Sequence, residues 1–304
     1  MSAPSSSDTR TTNDRYPTRV SAEPALIERL EPTVWGSEAS AGMYGAQELH
    51  GHATNGFSRV PDLLTPDEVA GYAAELDRLA HDPLVRADDR CIVEKASAEV
   101  RSIFEVHRIS EMIAHLVRDE RVVGRARQIL GGDVYVHQSR INYKPGFGGG
   151  GFSWHSDFET WHAEDGMPTP RAVSCSISLT ENYAYNGCLM IMPGSHRTFV
   201  SCVGETPEDN YRSSLTEQEI GTPDQDSLTA LADRHGIAML TGKAGSATFF
   251  DSNCMHGSAD NITPYPRSNI FIVFNSVDNA CGEPYYAPRA RPEYIAARDF
   301  TPVR

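Results

Sequence analysis

Residues 143–168 read YKPGFGGGGFSWHSDFETWHAEDGMP, and the fold turns on how this stretch is read. Gly146, Gly148 and Gly151 satisfy G-x-G-x-x-G, the fingerprint of a dinucleotide-binding turn. That turn needs a helix directly behind it, so that phosphate meets the helix N-terminus, and an acid about 20 residues on at a strand end. The next residues are instead FSWHSDF, an aromatic-rich, strand-like segment, and the nearest acids fall in the turn AEDGMP. The fingerprint is a product of glycine density. The run reads as a connector between one strand ending at Lys144 and another beginning at Phe152. Its composition predicts a mobile flap at a pocket mouth.

Upstream, Thr65-Pro66-Asp67-Glu68 has the residues of a helix start: an N-cap, a proline at the first position and a glutamate three residues past the cap. Val69, Tyr72, Ala73, Leu76 and Leu79 continue at helical spacing, which predicts an amphipathic helix to about residue 81. A second helix is predicted from Ser110, carrying Ile113, Leu116, Val117, Val122, Val123, Ala126 and Leu130 to a stop at Gly131-Gly132. From residue 134 the texture changes to short strands separated by Gly, Pro and Asn. The candidates are 134–143, 152–157, 172–179, 188–192, 246–251 and 269–277. No repeating alternation of strand and helix appears after residue 134, which argues against a doubly wound parallel sheet. Helices first and many short strands after them imply a mainly β fold with flanking α-helices, either an antiparallel sandwich or a small barrel. The stretch 203–243 is polar and loop-like, with one helix near 226–235. Residues 1–24, rich in Ser, Thr, Pro and Arg, predict a disordered tail. That leaves 25–304 as one domain, a helical scaffold over about 60–132 and a β core over about 133–280.

The chain has 304 residues and a formal net charge of −14. So acidic a surface repels phosphate backbones and anionic lipid, so neither a nucleic-acid nor a membrane partner is expected. The six cysteines form no C-x-x-C and no disulfide framework, which points to a reducing, cytoplasmic setting. No apolar run approaches the ~18 residues needed to span a bilayer.

Chemistry enters through His155-Ser156-Asp157. On a strand, i and i+2 share a side, and His256 comes later in FFDSNCMHGSAD. Two histidines and one carboxylate can occupy one face of an octahedral ion and leave three positions open, the facial triad of non-haem Fe(II) oxygenases. Among 11 histidines such a pattern arises easily by chance. Arg267 strengthens it, lying eleven residues beyond His256 at the start of an apolar strand, where a free charge is awkward. An oxygenase using 2-oxoglutarate needs a cation for the far carboxylate, and arginine offers a bidentate fork. Cys254, His162 and His196 fit core, turn or supporting positions better than ligand positions. Along 134–143 and beyond, Gln138, Arg140, Asn142 and Lys144 alternate onto one face, as do Ser174, Ser176 and Ser178 on the strand at 172–179. Two strands with polar faces flanking His-x-Asp suggest the lining of a barrel mouth.

The segments WHSDFETWHAEDGMPTPRAVSCSISLTEN, NGCLMIMPGSHRTF and CVGETPEDNYRSSLTEQEIGTP resemble the ectoine hydroxylases, in the phytanoyl-CoA-dioxygenase-like branch of the 2-oxoglutarate oxygenases. The resemblance covers roughly residues 50–295. It implies a double-stranded β-helix (jelly-roll, cupin-like) core, a homodimer, and conversion of ectoine to 5-hydroxyectoine with Fe(II), 2-oxoglutarate and O2. The family's iron ligands fall on His155, Asp157 and His256. Its 2-oxoglutarate contacts fall on Asn142, Phe152, Ser174, Ser258 and Arg267, and its ectoine contacts on Gln138, Arg140, Thr160, Trp161 and Phe274. The chain departs from the family at Gly148–Gly151, where bulkier or charged residues are usual. Three other readings stay open at this point: the same chemistry on another small zwitterion such as proline, a non-catalytic solute-binding relative, and a zinc hydrolase.

Overall fold

The computed structural model describes residues 14–37, 42–93, 99–215 and 218–304. Four longer helices precede the main strands: α1 (Ala46–Asn55), α2 (Pro66–His81), α3 (Glu111–Arg118) and α4 (Glu120–Leu130). Helix α2 begins where expected. The Thr65 hydroxyl accepts from the Glu68 backbone N–H at 3.3 Å, and the Glu68 carboxylate accepts from the Thr65 N–H at 2.8 Å. The single helix expected from Ser110 is two. Asp119 leaves the helical conformation (ψ 125°), and its carboxylate caps α4 by accepting from the Arg121 N–H at 2.8 Å. Gly131, at φ 71°, closes α4 as its sequence position suggested.

Among the described residues thirteen strands occur in chain order: β1 (Ala25–Glu28), β2 (Phe57–Val60), β3 (Cys91–Val93), β4 (Val100–Phe104), β5 (Val134–Lys144), β6 (Phe152–His155), β7 (Ala172–Ser178), β8 (Met190–Ile191), β9 (Thr198–Ser201), β10 (Ala238–Met239), β11 (Ala247–Asp251), β12 (His256–Ser258) and β13 (Arg267–Ser276). They form a seven-stranded sheet in the order β2-β11-β7-β13-β5-β4-β3 and a four-stranded sheet in the order β10-β8-β12-β6, with β1 paired to β9. Every pairing is antiparallel. The fold is a jelly roll with helices packed outside, as expected. The expected split at 132/133 does not hold, because β2, β3 and β4 join the large sheet from within the supposed helical scaffold. Val100–Phe104 is buried throughout, so it lacks the apolar–polar alternation that marks a strand.

The two faces of the large sheet differ, and this difference creates the site. On the outer face Ile141, Val173, Cys175, Ile177, Ile270, Ile272 and Phe274 pack with Ile113, Leu116, Val123, Ile129 and Leu130 of the helices. The inner face carries Gln138, Arg140, Asn142, Lys144, Ser174, Ser176 and Ser178 towards the small sheet. Residues 14–24 do not behave as a tail. Tyr16, Thr18 and Arg19 are buried, and the Arg19 guanidinium bridges Glu159 at 2.8 Å and Glu164 at 2.7 Å. The rest of the expected tail, residues 1–13, lies outside the described residues. Among the described residues no helix is long and apolar enough to cross a membrane.

Candidate metal centre

His155 ends β6 and His256 begins β12, and the two are register partners with ring centroids 4.2 Å apart. Asp157 is not on the strand. The strand stops at His155, and Asp157 opens a single helical turn, α5 (Asp157–Thr160). Alternation therefore selected the right residue by the wrong geometry. The turn is held by the Phe158 N–H donating to Ser252 O at 2.8 Å and the Ser156 hydroxyl donating to Asn253 Oδ1 at 3.0 Å. His155 Nε2 lies 3.6 Å from Asp157 Oδ1, and His256 Nε2 lies 4.0 Å from Asp157 Oδ2. One donor atom from each of the three residues falls within 4.8 Å of the others.

The remaining ring nitrogens orient the imidazoles. His155 Nδ1 donates to Ser153 O at 2.7 Å and His256 Nδ1 to Cys254 O at 3.0 Å, leaving both Nε2 lone pairs aimed at the cluster. Burial, helped by His155, pulls His256 down to about 4, so it is neutral at physiological pH. Burial works to raise Asp157, but His256, His155 and Arg140 overcome it and hold the carboxyl below the usual carboxylate range. Ser174 donates to Asp157 Oδ2 at 3.2 Å. Two imidazoles and one carboxylate, converging from one side, fit Fe(II) with positions left for other ligands.

From this cluster a narrow cavity runs between the sheets to Arg267, past Arg140, Asn142, Lys144, Phe152 and Ser258. Arg267 is only 6% exposed and makes no ion pair with a carboxylate among the described residues. Its guanidinium donates to Asn269 Oδ1 at 3.0 Å and to Gly187 O, and burial pulls it down to about 10. A second pocket meets the cluster from the other side. It brings together Gln138, Arg140, Asp157, Thr160, Trp161 and Glu164. Gln138 donates to Ile295 O at 2.7 Å, which leaves its amide oxygen available. Arg140 donates no hydrogen bond within the described residues; its guanidinium lies 5.1 Å from the Phe271 ring, and burial lowers its pKa. Trp161 starts a π-helical turn, Trp161–Asp165, that also brings Glu164 to the pocket.

Two expected contacts sit elsewhere. Phe274 belongs to the helix-side core, because it alternates along β13 with Ile270 and Ile272 on the face away from the cavity. The aromatic residue that faces the cavity is Phe271, register partner of Arg140. Counting by twos from Arg267 through Asn269 would have found it. Ser174 supports Asp157 rather than the cavity wall. Glu164 was missed because a π-turn leaves no periodic signal, and Lys144 was placed on the correct face without a role.

The glycine run is no free flap. Phe147 N–H donates to Thr263 O at 2.8 Å, Asn261 N–H to Gly149 O at 2.8 Å, and Gly151 N–H to Asp260 Oδ1 at 2.6 Å. A Cβ at Gly146 would stand 2.8 Å from Pro264 O, and one at Gly151 2.9 Å from Ser258 O. Close backbone approach, not flexibility, is what those glycines provide.

Known proteins resemble this chain over most of its length. The phytanoyl-CoA dioxygenase (PhyH) family matches residues 53–269. The chain is 64% identical over 294 residues to the ectoine dioxygenase of Streptomyces avermitilis, covering 97% of this chain and 99% of the relative. Crystal structures of EctD from S. alaskensis superpose with a TM-score of 0.87 at 42% identity. The one with 2-oxoglutarate and 5-hydroxyectoine covers 96% of this chain and 97% of that one, and the one with bound Fe 96% and 98%.

Proposed function

The chain belongs to the phytanoyl-CoA dioxygenase family, and we infer from that membership and from its site that it hydroxylates ectoine to 5-hydroxyectoine. It is a 2-oxoglutarate-dependent non-haem iron dioxygenase that consumes O2 and releases succinate and CO2. One observation carries the reading: a two-histidine, one-carboxylate cluster shares a cavity with a buried arginine that has no carboxylate of its own among the described residues.

Iron bound by His155, Asp157 and His256 supplies O2 activation and oxidising power. The protein's share is position and charge. Arg267 receives the far carboxylate of 2-oxoglutarate, with Asn142, Phe152 and Ser258 along the cavity between it and the cluster. Ser174 holds the Asp157 carboxylate in place. Ectoine carries one carboxylate and a cyclic amidinium, and the second pocket has a match for each. Arg140, a cation with no hydrogen bond or ion pair among the described residues, suits the carboxylate. Arg19 is shared by Glu159 and Glu164, so that buried group keeps one negative charge beside the pocket, which suits the amidinium. The free oxygen of Gln138 can accept from a ring N–H, and Thr160 and Trp161 close the same wall. Gln138, Glu159, Trp161 and Glu164 are buried before ectoine arrives, which keeps their reorganisation small.

The wider setting is part of the proposal: one oxygenase domain, a homodimer, a cytoplasmic location and a role in osmotic stress. Six unpaired thiols are compatible with a reducing compartment. Succinate release, followed with Fe(II), 2-oxoglutarate and either ectoine or proline, tests the substrate. Ectoine-dependent succinate is expected; proline-dependent release without an ectoine response would replace ectoine as the substrate.

A further inference from the structure

Lys144 is the last residue of β5 and the register partner of Arg267 across β13. The chain holds three lysines, at 95, 144 and 243, and this one is 3% exposed. Its ammonium donates to Ser258 Oγ at 2.9 Å and to Ala259 O at 2.6 Å and lies 5.5 Å from the Phe152 ring centre. An ammonium has three hydrogens, so one is left for another acceptor. No carboxylate forms an ion pair with it among the described residues, and the residue lines the same cavity as Arg267.

The surrounding backbone is shaped to admit this side chain. A Cβ at Gly149 would stand 2.2 Å from Lys144 Cγ. A Cβ at Gly187 would stand 2.8 Å from Lys144 Cδ and 3.0 Å from its Nζ. Gly187 also gives its carbonyl to Arg267. Two glycines from separate loops thus leave room for one buried lysine stem. Burial, together with Arg267 and Arg101 nearby, pulls the ammonium down to about 7. A buried cation held without a counter-ion is costly unless a ligand brings one.

We propose that Lys144 and Arg267 form a two-cation clamp on the far carboxylate of 2-oxoglutarate, with Lys144 also fixing the Ser258 hydroxyl beside it. The clamp rests on the 2-oxoglutarate reading given above. It makes Lys144 a specificity residue for the dicarboxylate, because a 2-oxo acid without the far carboxylate would leave both cations uncompensated.

The test is anaerobic calorimetry on Fe(II)-loaded wild type and Lys144→Met, titrated with 2-oxoglutarate and with 2-oxobutyrate, which keeps the 2-oxo acid and lacks the far carboxylate. Lys144→Met should weaken 2-oxoglutarate about tenfold, the scale of one charge-assisted hydrogen bond, and leave 2-oxobutyrate within about twofold. Unchanged 2-oxoglutarate binding, or equal loss for both acids, overturns the clamp. If wild type itself binds no 2-oxoglutarate, the parent reading fails first and the clamp with it. Should Lys144→Met not fold, the Zn(II)-substituted wild type carries the test through 15N-lysine NMR. The Lys144 Nζ signal should move with 2-oxoglutarate and stay with 2-oxobutyrate; a signal indifferent to both overturns the clamp.

Discussion

Arg140 and Phe271 face each other across β5 and β13, and both line the cavity. Since Arg140 has no hydrogen-bond partner in the described protein, Arg140→Leu should leave the denaturation midpoint unchanged or raised. Ectoine affinity should nevertheless fall on the order of 100-fold, for loss of a charge-assisted pair in a buried site. Calorimetry with ectoine and a urea melt read the two effects, and an affinity loss that merely tracks a stability loss would contradict the assignment. Phe274 and Phe271 should separate in the opposite sense. Phe274→Ala should cost about 3–5 kcal/mol of stability as a core deletion, with ectoine affinity of the folded protein kept, whereas Phe271→Ala should shift that affinity. At this scale the convergence of His155, Asp157 and His256, and the burial of Arg267, were legible because the chemistry demands particular residue types. Phe274 rested on the resemblance alone; counting by twos along β13 already puts it with Ile270 and Ile272, on the opposite side from Arg267 and Phe271.

The glycine run shows what an element's composition can and cannot say. Glycine density signalled a special loop, but the reason lies in neighbours far along the chain, at 258–264, that no local pattern contains. The consequence can be measured. A Cβ at Gly148 meets nothing, so Gly148→Ala should change stability by less than about 0.5 kcal/mol. A Cβ at Gly149 meets Pro145 O at 2.8 Å as well as the Lys144 stem, so Gly149→Ala should cost about 1–3 kcal/mol. Thermal melts of the pair decide this, and equal shifts would mean that the run is a simple tether. Helix starts were easier to read, since Thr65 and Ser110 advertise capping hydrogen bonds within a few residues. The break at Asp119 was hidden inside one continuous apolar pattern. Strand β2 was hidden because its partner β11 lies far along the chain, and β4 because it is buried throughout and shows no alternation.

At the scale of the whole molecule, acid lability should come partly from histidines kept neutral inside the fold. His52 and His196 are fully buried, and burial pulls them down to about 4 and about 3. Below pH ~6.5 the unfolded chain takes up protons that these two refuse, so stability rises with pH across that window and is lost on acidification. The slope should approach roughly 1.4 kcal/mol per pH unit for each histidine between about pH 6 and 4. Denaturant melts across that range check it, and a flat profile would contradict it. The architecture itself was legible from the order of textures, helices and then short strands, and from the polar faces of β5 and β7. The buried N-terminal segment was not: Arg19 sits in a polar stretch whose carboxylate partners, Glu159 and Glu164, lie about 140 residues away. Those partners tie the segment to the wall of the second pocket, which Glu164 lines. The central claim is that this site oxygenates ectoine, and mass spectrometry tests it most directly. Ectoine incubated with the protein, Fe(II), 2-oxoglutarate and 18O2 should gain one labelled oxygen, and Asp157→Ala should abolish the gain. Unmodified ectoine, with iron and 2-oxoglutarate bound, would contradict the account.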